Sequence, residues 1–259
     1  MLTERRRIVL RAVVDHHVAT FAPVGSSILA QRYVANVSPA TIRNELGALE
    51  NQSLLYSPHT SAGRLPTHAG YRRVVDDILS RPSLSVADPS YPHQELHLAL
   101  RRSSAAGSSL LLAELFRAVV MHLAQATGNL ALINVTASKL SPRIGARPAT
   151  SQLYYNGLAN LLTQPEFVKL HGQECFKRLV GMLEDERKLD HVLEASSQEN
   201  RVVVSIGDEH CQFGLSELSL VTSRYKGGVV AVIGPTRLNY QETIAAVSTA
   251  AHTLNDILE

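Results

Sequence analysis

Ala40, Asn44, Gly47 and Asn51 recur at three- and four-residue spacing, with Thr41 and Arg43 beside them. On a helix this spacing makes one face that is small and polar. The chemistry open to it is recognition of base edges. The Asn44 amide can pair with adenine, the Arg43 guanidinium can reach guanine or a phosphate, and the Ala40 and Thr41 methyls can touch thymine methyls. Gly47 would let the backbone come close to a groove. The plainer reading is that Thr41 and Asn44 only cap or solvate the helix.

The next segment favours the first reading. Ser57-Pro-His-Thr-Ser-Ala-Gly-Arg-Leu-Pro-Thr67 is rich in hydroxyls and small residues, and Arg64 adds one positive charge. Such a tip can follow a phosphate backbone or place an arginine in a minor groove. The candidate DNA-binding residues are therefore Ser38, Ala40, Thr41, Arg43, Asn44, Gly47, His59, Ser61, Arg64 and Thr67. Local charge agrees. The net charge of the whole chain is only +2, yet residues 1–79 hold nine arginines, no lysine and six acidic residues, a net of about +3. Arg5, Arg6 and Arg7 form a cluster that, with Ser26 and Ser27, could contact phosphates; a solvated helix face is the alternative.

These residues need elements to carry them. Thr3 is a plausible cap for a helix to about Thr20, with Ile8, Val9, Ala12 and Val13 as its apolar stripe. Gly25 and Ser26 open a short second helix through Ile28, Leu29 and Tyr33. Ser38 followed by Pro39 starts a third, because proline at the first helical position lacks only an N–H the helix would not use. That helix runs to about Gln52 and turns Ile42, Leu46 and Leu49 to a core. Leu54 to Thr67 reads as strand, turn and return strand, and Thr67 can cap a fourth helix to Leu79. Three short helices and a hairpin make the layout of a winged helix-turn-helix.

Ser80 to Pro92 is rich in proline and serine and reads as a linker. Helices are expected near Gln94–Arg102 and Ser109–Ala126, a buried strand at Asn129–Thr136, and an irregular loop over Ser138–Thr150. A short strand (Leu153–Tyr155) follows, then helices near Leu158–Leu162, Glu174–Leu183 and Glu186–Glu194. Strands at Arg201–Ile206, Glu217–Tyr225 and Val229–Ile233 precede a last helix after Asn239. The class is α+β: a DNA-binding domain over 1–79, a linker and connecting helix over 80–108, and an antiparallel-sheet domain over 109–259.

Other chemistry finds little support. Cys175 and Cys211 make neither a disulfide framework nor a zinc site. His93 and His97 lie four apart without a third ligand nearby. Glu184, Asp185 and Glu186 sit at a helix start, where the dipole accounts for them. No nucleophile motif, phosphate loop or paired carboxylates stand out, so neither an enzyme nor a cofactor is expected. No apolar run is long enough to span a bilayer and no signal peptide is read; with two cysteines and no disulfide framework, a reduced, cytoplasmic compartment is expected.

The motifs are specific enough to carry a resemblance. Ser38-Pro-Ala-Thr-Ile-Arg-Asn-Glu-Leu, then Pro58-His-Thr-Ser-Ala-Gly-Arg-Leu-Pro-Thr and Gly70-Tyr-Arg, resemble the DNA-binding domain of the HrcA family. Pro23-Val-Gly-Ser and Leu29-Ala-Gln-Arg-Tyr match its second helix. Asn160-Leu-Leu-Thr-Gln-Pro-Glu-Phe, Ser219-Leu-Val-Thr and Ile233-Gly-Pro-Thr-Arg-Leu-Asn-Tyr are similar to its GAF-like regulatory domain. The resemblance implies a repressor of chaperone operons that binds an inverted-repeat operator on double-stranded DNA as a homodimer. It also implies a chaperonin partner that helps keep the repressor active until heat draws the chaperonin away. The chain departs from the family in three places. Members are longer, with further strands and a dimerising insert where this chain has only the loop between Thr136 and Leu153. The glycine-rich stretch before the last strand shortens to Lys226-Gly-Gly. Ser53 stands where the family usually has glycine. Two other functions fit the same layout: a ligand-sensing regulator using the GAF-like domain, or a winged helix that contacts protein.

Overall fold

In the computed structural model, residues 2–34, 36–59, 62–81, 109–136, 152–168, 170–198 and 201–258 are described. The expected linker at Ser80–Pro92 lies outside them from Pro82 onward. So do the helix at Gln94–Arg102, the loop at Ser138–Thr150, Thr60, Ser61, His93, His97 and the Cys211 side chain. The chain forms two compact units. One is residues 1–81 with Thr236–Asn239, and the other is the remainder.

The first unit contains α1 (Glu4–Thr20), α2 (Ser26–Arg32), α3 (Pro39–Asn51), β1 (Leu55–Tyr56), β2 (Leu65–Pro66) and α4 (His68–Leu79). Side-chain caps set three of the helix starts. Thr3 accepts the Arg6 N–H, Ser38 accepts the Thr41 N–H, and Thr67 accepts the Gly70 N–H. Val9, Leu10, Ala12, Val13 and Val14 of α1 are buried, with Leu29, Ile42, Leu46, Leu49, Tyr71, Val74 and Val75. Ile8, expected on the buried stripe, is 46% exposed. The core instead takes Leu10 and Val14, which extend the Val9–Val13 side of the helix.

The hairpin is antiparallel, with Leu55 opposite Pro66 and Tyr56 opposite Leu65. A third segment joins it. Val24 and Arg64 exchange backbone hydrogen bonds of 2.9 and 3.1 Å, which ties the α1–α2 connection to the hairpin. Gly63 permits this approach, since a Cβ there would fall 2.4 Å from the Val24 carbonyl carbon.

The second unit is a five-stranded antiparallel sheet with strand order β4-β3-β7-β6-β5. The strands are β3 (Leu130–Val135), β4 (Gln152–Asn156), β5 (Val202–Ile206), β6 (Leu218–Tyr225) and β7 (Gly228–Pro235). The helices are α5 (Ser109–Thr127), α6 (Leu158–Leu162), α7 (Leu170–Glu184), α8 (Glu186–Ala195) and α9 (Tyr240–Ile257). Short 3-10 helices that the sequence did not announce occur at Pro165–Val168 and Gly207–Phe213. Both faces of the sheet are covered. Leu130, Leu132, Leu218, Leu220, Ala231 and Ile233 pack with Leu161, Leu179, Leu183, Leu189 and Leu193 from α6, α7 and α8. On the opposite face Phe116 of α5 meets Tyr154 and Tyr225, and the Tyr240 hydroxyl of α9 hydrogen-bonds Ser219 at 2.7 Å. Burial on two sides is why β3 and β7 read as largely apolar runs and do not alternate, with buried Asn134 the polar exception in β3. The whole is α+β, as expected.

A candidate nucleic-acid interface

The face of α3 opposite its buried stripe is open. Ala40, Arg43, Asn44 and Asn51 are exposed, and Thr41 and Gly47 are half-exposed. Three signals in the sequence produce that orientation. Ser38 caps the start, Pro39 fixes the first turn, and Ile42, Leu46 and Leu49 bury the other side. The end of α3 is a Schellman turn. The Leu54 N–H donates to the Leu49 carbonyl at 3.0 Å, the Ser53 N–H donates to Glu50 at 2.8 Å, and Ser53 takes a left-handed φ of 56°. The hairpin therefore leaves the helix at a fixed angle.

The candidate residues divide by what their side chains already do. Ser38 serves the helix start, and its hydroxyl also shares a 2.9 Å hydrogen bond with that of Thr41. Thr67 accepts from Gly70 at 3.1 Å and donates to the Ser53 carbonyl at 2.7 Å, so its hydroxyl is committed to joining α4 to the α3–β1 turn. His59 is exposed on the hairpin, while Ser61 falls outside the described residues. Ser27 is exposed. Ser26, grouped with it as a phosphate contact, is buried at 8% exposure and turns away from the surface.

The arginines of this surface have carboxylate partners within the chain. Arg6 Nε donates to Glu45 Oε2 at 2.9 Å, and Arg5 Nη1 lies 4.0 Å from Glu45 Oε1. Arg7 pairs with Glu4 one turn back on α1. Arg64 donates to Glu50 Oε2 from Nη2 at 2.8 Å and from Nε at 3.0 Å. The expected basic cluster and wing arginine are thus largely offset by carboxylates of the same unit. Arg43 differs: it is exposed and forms no ion pair among the described residues. Glu45 and Glu50 were not singled out from the sequence. The available signal was their position on either flank of the Ile42–Leu46–Leu49 stripe.

Beneath this surface, α1 is bonded to its neighbours by two histidines. His16 Nδ1 lies 3.2 Å from the Tyr33 hydroxyl at the end of α2, and His17 Nδ1 lies 2.5 Å from the Tyr71 hydroxyl of α4. Burial, followed by nearby positive charge, lowers the pKa of both, that of His17 to about 4.

The family model for the HrcA protein C terminal domain matches residues 90–244. The chain belongs to the HrcA family. Similar relatives include the heat-inducible transcription repressor HrcA of Roseiflexus castenholzii, 29% identical over 99% of this chain and 94% of that protein. Those of Pelotomaculum thermopropionicum and Halalkalibacterium halodurans are 28% and 26% identical, each over 100% of this chain and over 97% and 98% of the relative. The Roseiflexus alignment runs over 342 positions, more than the 259 residues of this chain, so that HrcA relative has residues opposite gaps here. A crystal structure of a hypothetical protein shares the fold, with a TM-score of 0.68 at 18% identity over 99% of this chain and 97% of that one. No helix among the described residues is long and apolar enough to cross a membrane.

Proposed function

We propose that this HrcA-family chain is a heat-inducible transcription repressor that reads double-stranded DNA with α3. The observation that carries this reading is the exposed face of Ala40, Arg43, Asn44 and Asn51, opposite the buried stripe and followed directly by a hairpin. A helix entering a major groove needs such a face, with small residues for approach and a few hydrogen-bonding tips. In this reading residues 1–79 are a winged helix-turn-helix, with α3 as recognition helix and the hairpin as wing. Residues 80–108 connect it to a GAF-like regulatory and dimerisation domain over 109–259.

The relatives' names supply the heat-shock role. An inverted-repeat operator is taken from the family, and a palindrome requires two-fold symmetry in the protein, which a homodimer supplies. Chaperonin dependence and a cytoplasmic location are taken from the family. Footprinting of the full-length protein on genomic DNA tests the reading. Two protected half-sites related by a dyad, spaced by about one helical turn or a multiple of it, are expected. Uniform, sequence-independent protection would overturn it.

A further inference from the structure

The two acidic residues of α3 are the hardest to place beside a polyanion. At about 100° per residue, Glu45 and Glu50 lie roughly 140° apart, one on each flank of the buried stripe. Their side chains are only 16% and 35% exposed, and each is met by an arginine from a different element, Arg6 of α1 and Arg64 of the hairpin. We propose that Glu45 and Glu50 are positioning residues for DNA recognition, which lock α3 between α1 and the hairpin through Arg6 and Arg64, so that these arginines serve the carboxylates and not DNA phosphates. The proposal rests on the repressor reading above.

Arg64 carries the argument. Each of its three guanidinium nitrogens has a protein acceptor: Nη2 and Nε bind Glu50, and Nη1 reaches the Ala62 carbonyl at 3.4 Å. Its backbone is fixed as well, through the paired bonds to Val24. One residue therefore joins the hairpin, the α1–α2 connection and the end of α3. To reach a phosphate the guanidinium would have to abandon a two-nitrogen grip and leave Glu50 uncompensated within the field of the DNA. A carboxylate closer to phosphates than the screening length of about 8–10 Å repels them. Paired, it costs little, and the pair sets the angle between recognition helix and wing.

The two roles predict opposite signs. The probes are a duplex selected from a random pool by the full-length wild-type protein, and a scrambled duplex of the same length. If Glu50 positions α3, Glu50→Gln weakens binding to the selected duplex by roughly tenfold, the scale of a coupled pair, and does not weaken binding to the scrambled duplex. If Arg64 contacts phosphate, Glu50→Gln frees it, removes a negative charge and tightens binding to both duplexes. Arg64→Lys keeps the charge and the fold but loses the fork. The positioning role then costs selected binding at an unchanged slope of log K against log salt. Arg64→Gln should likewise keep the slope, and Glu50→Gln/Arg64→Gln should be no worse than either single change. A slope reduced by about 0.9 in Arg64→Gln, the amount for one phosphate contact, or tighter binding to the selected duplex by Glu50→Gln, would overturn the proposal while leaving the repressor reading intact. A wild-type protein that enriches no duplex would overturn both.

Discussion

Arg43 and Asn44 are the side chains best placed to read sequence, because both are exposed beside small neighbours and neither is consumed by a cap or an ion pair. Replacing either with alanine should cost about 1–3 kcal/mol of specific binding and relax preference at one base pair. Titration of each mutant against single-position variants of the selected duplex checks this, and two mutants that bind like wild type would sink the assignment. Ser53 raises a different issue. It holds a left-handed φ of 56° at the turn that aims the hairpin, where a Cβ is unfavourable. Ser53→Gly relieves that crowding and gives back part of the gain through the looser unfolded chain, for a net stabilisation of about 0.5–1 kcal/mol. Denaturant unfolding measures it. A destabilised glycine variant would mean that the serine side chain contributes something the backbone geometry does not show.

At the scale of elements, α1 is the beam to which α2 and α4 are bonded, and its two histidines make those bonds sensitive to protons. The folded-state pKa of His17 is lowered to about 4 from the ordinary 6.5, and that of His16 is lowered too. Between those two values for His17, the unfolded chain binds more protons than the folded one, so stability rises with pH. The contribution is complete above about pH 6.5 and is lost as pH falls toward about 4. Thermal unfolding of the N-terminal unit should therefore move to lower temperature across that window, and His17→Gln should flatten the trend. An unchanged pH dependence in the mutant would exclude His17 as its source. The described apolar side chains of α5 are largely accommodated within the chain. Leu115, Phe116, Val119, Val120 and Leu123 are all buried within one chain, and the outward residues Glu114, Arg117 and Gln125 are polar, with Met121 as the large apolar exception at 41% exposure.

At the scale of the whole molecule, self-association is tested by truncation. The homodimer remains a proposal drawn from the symmetry of an inverted repeat. A truncation from Ser80 to Glu259 should still sediment as a dimer at micromolar concentration if the second domain carries the interface. Met121→Asp should then leave the mass unchanged, because Met121 is a single large exposed apolar side chain among the described ones of α5. A monomeric truncation beside a dimeric full-length chain would move the interface to the DNA-binding unit. A dissociated Met121→Asp would return it to α5.

Much of the architecture could be read from the chain because its signals are local. Ser38-Pro39 starts α3, Thr3 and Thr67 cap α1 and α4, and the apolar runs at Leu130–Val135 and Gly228–Pro235 are strands. Each depends on hydrogen bonds or periodicity within a few residues, and the outward polar face of α3 follows from the same periodicity. The partners of the side chains on that surface come from positions distant in sequence. Arg6 meets Glu45 from 39 residues away, Arg64 meets Glu50 from 14, and the backbone of Arg64 pairs with Val24. Ser26 is turned inward, and Thr67 is taken up by Ser53. An arginine in a sequence is a charge without an address. Only the packing of α1, α3 and the hairpin decides whether its nearest anion is a carboxylate of the same chain or a phosphate, because that choice depends on distances of a few ångströms that no spacing along the chain encodes.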